Sequence, residues 1–230
     1  MKEINSIFEK SYTIIPDDTE KLINNILNQG KTKQEILLDI IIKRRIIEKK
    51  EINVIDGFIF SKLIAIRTKN INSKLKKFFP DGILRFKSSL KINYQPLQGL
   101  LLKGKFQEAD KLTQKYLCEL VKITTNSKRE WLYFTDIQFL PIDDLFTLDL
   151  LWKVYSKGKF GFSVQKKLWT STNCKWNKFW ETIGWTNKGI MNRYPQEFIW
   201  TLEAPDGHLP LFNQLRGTQT LSSLFKCIQW

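Results

Sequence analysis

The stretch Ile36-Leu37-Leu38-Asp39-Ile40-Ile41-Ile42 is apolar at every position but one. A helix wound from it is apolar on nearly every side, so other helices have to enclose it. The residues before it, Thr32-Lys33-Gln34-Glu35, match a capping box, in which a Thr hydroxyl and a Glu carboxylate satisfy orphan N–H groups at a helix start. The pattern predicts a central, buried helix running to Ile47. Pro16-Asp17-Asp18 suits the start of an earlier helix, lined on one face by Leu22, Ile23, Ile26 and Leu27 and stopped by Gly30. Further helices are predicted over 54–66 and 72–79, the last ended by Phe79-Pro80-Asp81-Gly82 because proline cannot continue a helix. Residues 1–86 therefore read as a helical bundle or repeat-like module.

Residues 87–96 are polar and unpatterned and read as a linker. A second domain, 97–230, opens with a short helix at Leu100-Leu101-Leu102, ended by Gly104. Phe106 begins a longer helix carrying Leu112, Tyr116, Leu117, Leu120 and Val121 at helical spacing. Pro141-Ile142-Asp143-Asp144 starts another, with Leu145, Leu148, Leu151, Trp152 and Tyr155 inside it and Ser156-Lys157-Gly158 at its end. Its paired acids sit where a helix N-terminus favours negative charge, so they call for no active site. The fold class is all-α.

The net charge of +14 is divided evenly between residues 1–90 and 91–230. No arm or block concentrates it, so it marks a basic surface without specifying a polyanion. Cys118, Cys174 and Cys227 form no CxxC pair, which argues for a reducing compartment without structural zinc. MKEINSIFEK has no apolar core and reads as neither a signal nor a transit peptide. Gly158-Lys159-Phe160-Gly161-Phe162 lacks the spacing of a phosphate loop. The single histidine, His208, lies among turn formers, which favours a hydrogen-bonded structural role over axial ligation of a cofactor metal. No catalytic or metal-binding constellation emerges.

All eight tryptophans lie at or after Trp131. Rings confined to one domain fit a wide, flat binding surface, with plain core packing as the competing account of any one of them. Phe160, Phe162, Tyr194, Phe198 and Trp200 lie near segment boundaries, and Lys166, Lys167, Arg193 and Arg216 supply cations. That division suits a broad aromatic plate with carboxylates on one edge, as in a porphyrin. Single-stranded nucleic acid also takes aromatics and cations, but its charge should track a groove.

Several blocks recur in a fixed order: Leu100-Leu101-Leu102, Phe106-x-x-Ala109-Asp110-x-x-Thr113, Asp149-Leu150-Leu151-Trp152 and Ser156-x-Gly158-x-Phe160-Gly161-Phe162-Ser163-Val164-Gln165. Gly184-Trp185, Pro195-x-Glu197-Phe198-x-Trp200, Gly207-His208-Leu209-Pro210-Leu211 and Leu215-Arg216-Gly217 follow. This series resembles the genomes-uncoupled-four family of porphyrin-binding proteins that stimulate magnesium chelatase. The N-terminal module is similar to that of plastid-encoded and cyanobacterial-type members.

The resemblance implies an all-α core shaped like a cupped hand around protoporphyrin IX or Mg-protoporphyrin IX. It makes Gly158 to Phe162 a tight corner between core helices, with Phe160 and Phe162 turned into the core or the palm. It sets the loop near 186–194, with Met191, Arg193 and Tyr194, and the turn Asn213–Arg216 against the ligand, with Phe198, Trp200 and Leu101 completing the wall. Arg216 is the first choice for a propionate contact. Gln114-Lys115 stands where many members carry Arg-Arg, so the resemblance leaves Lys115 to make any anion contact from that helix. The implied protein is a monomeric, non-catalytic regulator whose partner is the large porphyrin-binding subunit of magnesium chelatase, with no nucleic acid. Its implied place is the chloroplast stroma, compatible with peripheral contact with plastid membranes, or the cytoplasm of a cyanobacterium. The alternative is an all-α basic scaffold for RNA or an anionic membrane surface.

Overall fold

The computed structural model describes residues 2–66, 68–86, 88–125, 129–211 and 218–230. The chain divides into two units, Met1–Arg85 and Phe86–Trp230. The first holds α1 (Lys2–Glu9), α2 (Asp17–Asn28), α3 (Lys31–Ile42), α4 (Val54–Ile66) and α5 (Lys69–Phe78). Leu37, Leu38, Ile41 and Ile42 of α3 are buried, while Asp39 faces solvent and pairs with Lys74 at 2.7 Å. The helix enclosed on nearly all sides is α4, where every residue from Val54 to Phe60 is buried.

The expected capping box is not made. Gly30, at φ +101°, turns the chain into α3 one residue before Thr32, and no side chain caps that end. A π-helical turn, Lys43–Ile47, carries α3 on to the expected terminus. It aims Arg44 at the fully buried Asp56 of α4, with Nε 3.0 Å from Oδ1. Asp56 also accepts the backbone N–H of Asn53 at 2.9 Å, so its charge is doubly compensated.

The second unit contains α6 (Gln95–Leu102), α7 (Phe106–Thr125), a 3₁₀ turn (Phe134–Phe139), α8 (Ile142–Tyr155), α9 (Phe162–Ser171), α10 (Trp176–Thr182) and α11 (Thr218–Cys227). The described strands are two short ones, β1 (Thr186–Asn187) and β2 (Ile190–Met191), paired antiparallel. Lys188 and Gly189 join them with φ +50° and +79°, the positive values that match strand twist in a two-residue hairpin. The protein is all-α with this one small hairpin among its described residues.

Residues 88–96, read from sequence as a linker, are held within the second unit. Ser89 N–H and the Tyr94 hydroxyl both donate to Asp144 on α8, at 3.0 and 2.7 Å, and Tyr116 Oη donates to Asn93 O at 2.8 Å. Tyr94 itself is fully buried. The segment looks unpatterned because side chains from α7 and α8, rather than its own periodicity, fix it.

The corner between α8 and α9 organises the core. Gly158 and Gly161 have φ of +86° and +125°. Phe160 N–H donates to Ser156 Oγ, Gly161 N–H to Leu209 O and Ser163 N–H to Asp149 Oδ1. Phe160 is thereby driven edge-on against Phe106, with ring centroids 5.5 Å apart, and next to Trp152 at 6.3 Å.

A Cβ on Gly161 would lie 2.8 Å from Asp149 Oδ1 in a backbone conformation that side chains rarely adopt. Gly161→Ala should therefore destabilise the second unit by roughly 2–4 kcal/mol. Gly99→Ala, in an α6 position with nothing within 4 Å, should leave it unchanged or more stable by about 0.5–1 kcal/mol. Urea unfolding followed by tryptophan fluorescence reads this directly, since all eight tryptophans belong to that unit.

Candidate ligand-binding groove

Helix α7 has two faces. Phe106, Ala109, Thr113, Leu117, Leu120 and Val121 are buried. On the opposite side Lys111, Lys115, Cys118 and Lys122 recur at spacings of four, three and four, one helical stripe. With Gln114, Glu119, Ile123, Arg129 and Glu130 they line a groove of about 1080 Å³. That is slightly above the roughly 300–1,000 Å³ typical of small-molecule sites. Its cations are three flexible lysines and one fixed arginine. Arg129 Nη2 lies 2.9 Å from Asp136 Oδ1, and its guanidinium sits 4.6 Å over the Tyr133 ring. Asp136 is in turn fixed by Tyr133 N–H at 2.8 Å. Tyr133, under the Arg129 guanidinium, is exposed, as are its chain neighbours Trp131 and Phe134. Burial pushes the Cys118 thiol pKa up, so it stays neutral and serves as lining rather than as a nucleophile.

At the other end of α7, buried Asp110 accepts the Leu211 N–H at 2.7 Å. Burial pushes the Asp110 carboxyl up to about 7, opposed by that hydrogen bond and by Lys111. Burial, then the charge of Asp110, raises the Tyr194 phenol, which ties the Tyr194 turn to this end of the helix. From Tyr194 a run of rings leads inward: Trp200 at 5.8 Å, Phe198 a further 6.4 Å on, Trp185 6.4 Å beyond, and Trp180 stacked on Trp185 at 5.2 Å.

His208 is a structural residue. Its Nδ1–H faces Ile183 O at 2.7 Å, and Nε2 accepts the Ile199 N–H at 3.1 Å, which fixes the tautomer and leaves no lone pair for a metal. Burial lowers its pKa.

The residues singled out from sequence are distributed unevenly. Tyr194, Phe198 and Trp200 form one ring cluster, with Arg193 exposed and Met191 half-buried in β2. Phe160, Phe162 and Leu101 are core residues, because the glycine corner and the α6–α7 packing turn them inward. Lys166 donates to Ile228 O, and Lys167 is exposed on α9. Asn213 and Arg216 lie outside the described residues. The α7 groove is walled by cations and lysine stems, and the phenylalanines first chosen do not line it. Lys111, Lys122 and Arg129, which line this groove, were not among the candidates read from sequence. The lysine stripe was legible at helical spacing, but Arg129 is recruited by Asp136 and has no local signature.

The GUN4-like family model matches residues 87–227. The chain belongs to the GUN4-like family. A ycf53 protein of Pyropia yezoensis is 42% identical, covering 91% of this chain and 88% of its own length, so that likeness extends through the first unit. The "Tetrapyrrole-binding protein, chloroplastic" of Arabidopsis thaliana is 33% identical over 59% of this chain and 52% of its own. The structure of GUN4 from Chlamydomonas reinhardtii superposes with a TM-score of 0.56 at 36% identity, covering 62% of this chain and 91% of that one. The GUN4-like match and the groove fall in the same unit.

Asp110 gives the GUN4-like unit a distinctive pH response. Between the ordinary carboxyl value of 3.8 and about 7, the folded protein keeps this proton while the unfolded chain loses it. Its contribution to stability is complete below that window and is lost as pH rises through it. Asp110→Asn keeps an acceptor for Leu211 N–H and removes the titration. The difference in melting temperature between variant and parent should grow in the variant's favour from pH 5 to pH 8. Parallel profiles would show that Asp110 ionises normally.

Proposed function

We propose that the GUN4-like unit is a non-catalytic tetrapyrrole carrier that takes protoporphyrin IX and Mg-protoporphyrin IX into the α7 groove. It would exchange them with the large porphyrin-binding subunit of magnesium chelatase in a plastid, and so regulate chlorophyll synthesis. The observation that carries this reading is the groove of about 1080 Å³, edged by Lys111, Lys115, Lys122 and Arg129, within the unit that matches the family. A relative named as a chloroplastic tetrapyrrole-binding protein supports the ligand class and the compartment.

The division of labour follows from the ligand's chemistry. The macrocycle face lies along lysine stems, Ile123 and the aromatic edge at Trp131 and Tyr133, while its carboxylates reach the cations. Burying ~300 Å² of macrocycle gives roughly 7 kcal/mol before ordering costs at about 25 cal/mol per Å². The chain contributes binding, orientation and exclusion of water, and no bond changes on it. Arg193 and Tyr194, at the Asp110 end, and Asn213 and Arg216 are proposed as further contacts.

The test is a titration of the full chain with a soluble protoporphyrin, read by tryptophan quenching at two ionic strengths. Binding should weaken only modestly with salt, and Arg216→Ala should weaken it about tenfold. A steep salt dependence shared with single-stranded RNA or anionic vesicles would favour a polyanion-binding scaffold instead. An unchanged dissociation constant in the variant would remove Arg216 from the site.

A further inference from the structure

The π-helical turn that follows α3 carries a cationic cluster whose charges are unevenly answered. Lys43, Arg44, Arg45, Lys49 and Lys50 are held in one piece, because Glu48 N–H donates to Lys43 O at 2.8 Å and Lys50 N–H to Arg44 O at 2.9 Å. Arg44 is matched by the buried Asp56, and Lys43 and Lys50 both pair with Glu48, at 3.5 and 2.9 Å. Arg45 has no acid of its own. Its Nη1 donates to Lys50 O, while its Nε is buried without a hydrogen-bond partner. Burial lowers the Arg45 pKa; the charge of Asp56 opposes this, Arg85 and Arg44 reinforce it, and Glu51 opposes it last. Arg85 thus stands near Arg45, exposed at the end of the first unit, and makes no ion pair with the described residues. Turns of this kind occur frequently at functional sites.

We infer that Arg45 and Arg85 form a binding site for a doubly charged phosphate group, either free phosphate or a phosphate monoester. The site belongs to the first unit and the α7 groove to the second, so it does not depend on the tetrapyrrole reading. Charge selects the ligand class. Across the cluster six cations meet three carboxylates, Glu48, Glu51 and Asp56, so even a dianion enters a net positive field. A carboxylate, or the phosphate diester of a lipid, carries half that charge and is the weaker match. A guanidinium meets phosphate oxygens through a planar fork of N–H donors, which a lysine lacks. A buried N–H without an acceptor is costly, and a phosphate oxygen supplies the acceptor that Arg45 Nε lacks. Because Nε is closed to solvent, binding has to turn the Arg45 guanidinium outward, and exposed Arg85 meets the same group from the solvent side.

The experiment titrates the full chain with inorganic phosphate and with phenyl phosphate at constant ionic strength. It is read by calorimetry and by melting temperature against a chloride control. Both ligands should bind at one site and raise the melting temperature above that control. Arg85→Gln, at an exposed position where folding is not at stake, should weaken phosphate about tenfold or more. Arg45→Gln should do the same, and Arg45→Lys, which keeps the charge but loses the fork, should fall between. Glu51→Gln removes a competing anion and should tighten binding severalfold. Lys178→Gln, at an exposed cation of the second unit, should change nothing. Vesicles of phosphatidylglycerol present the singly charged diester and separate the two sources of phosphate, and they should bind the parent no more tightly than Arg85→Gln. Vesicle binding that Arg85→Gln abolishes, without binding of free phosphate, would make this a lipid-facing surface and overturn the inference. A phosphate response no larger than that to chloride would also overturn it, as would equal affinities in the parent and both glutamine variants of the arginines.

Discussion

A carboxylate taken out of water is costly unless hydrogen bonds replace its solvent. Among the described residues five aspartates are buried, and each accepts a backbone N–H. Asp56 takes Asn53, Asp110 takes Leu211, Asp136 takes Tyr133, Asp144 takes Ser89 and Asp149 takes Ser163. In each case the donor is a turn, a loop or the first turn of a helix, where no helical carbonyl is available to it. Where the aspartate is charged, such a bond is worth roughly 1.5–3 kcal/mol, and stranding either partner costs more than the bond contributes. Apolar packing holds the helices together, but these aspartates decide where the irregular chain between them runs.

That rule shapes the surface proposed to meet a ligand. One face of α7 is core, and the other is the floor of the groove. The chain passing either end of that floor is pinned by an aspartate, Asp110 at the start and Asp136 beyond the end. Asp110 ties down Leu211 and bears on Tyr194, while Asp136 fixes Arg129 and the aromatic edge. Rigidity on both sides of a floor with mobile lysines gives a site that is pre-formed in outline and adaptable in detail, as a carrier that must both accept and release a flat ligand requires.

Much of the helical framework was legible in the sequence. The boundaries of α4 and α8 follow from apolar period and capping chemistry, and the corner between α8 and α9 was implied by the family resemblance, with Gly158 and Gly161 supplying its positive φ. What escaped has a common cause: it depends on partners far away in the chain. Residues 88–96 looked like a linker because Asp144, some fifty positions on, supplies their order. Phe160 and Phe162 looked like ligand walls because aromatic type does not say which way a corner turns them, and Phe106 and Trp152 decide that. Thr32 looked like a cap, but Gly30 turned the chain one residue earlier. Arg129 carried no signal of its own.

The central claim is that the solvent-facing stripe of α7 is the floor on which the ligand lies. A crystal structure of the full chain with a soluble protoporphyrin tests it most directly. The account places the macrocycle along Lys115 and Ile123 with its carboxylates toward the lysines of the stripe. A macrocycle seated elsewhere, with the α7 stripe untouched, would contradict it.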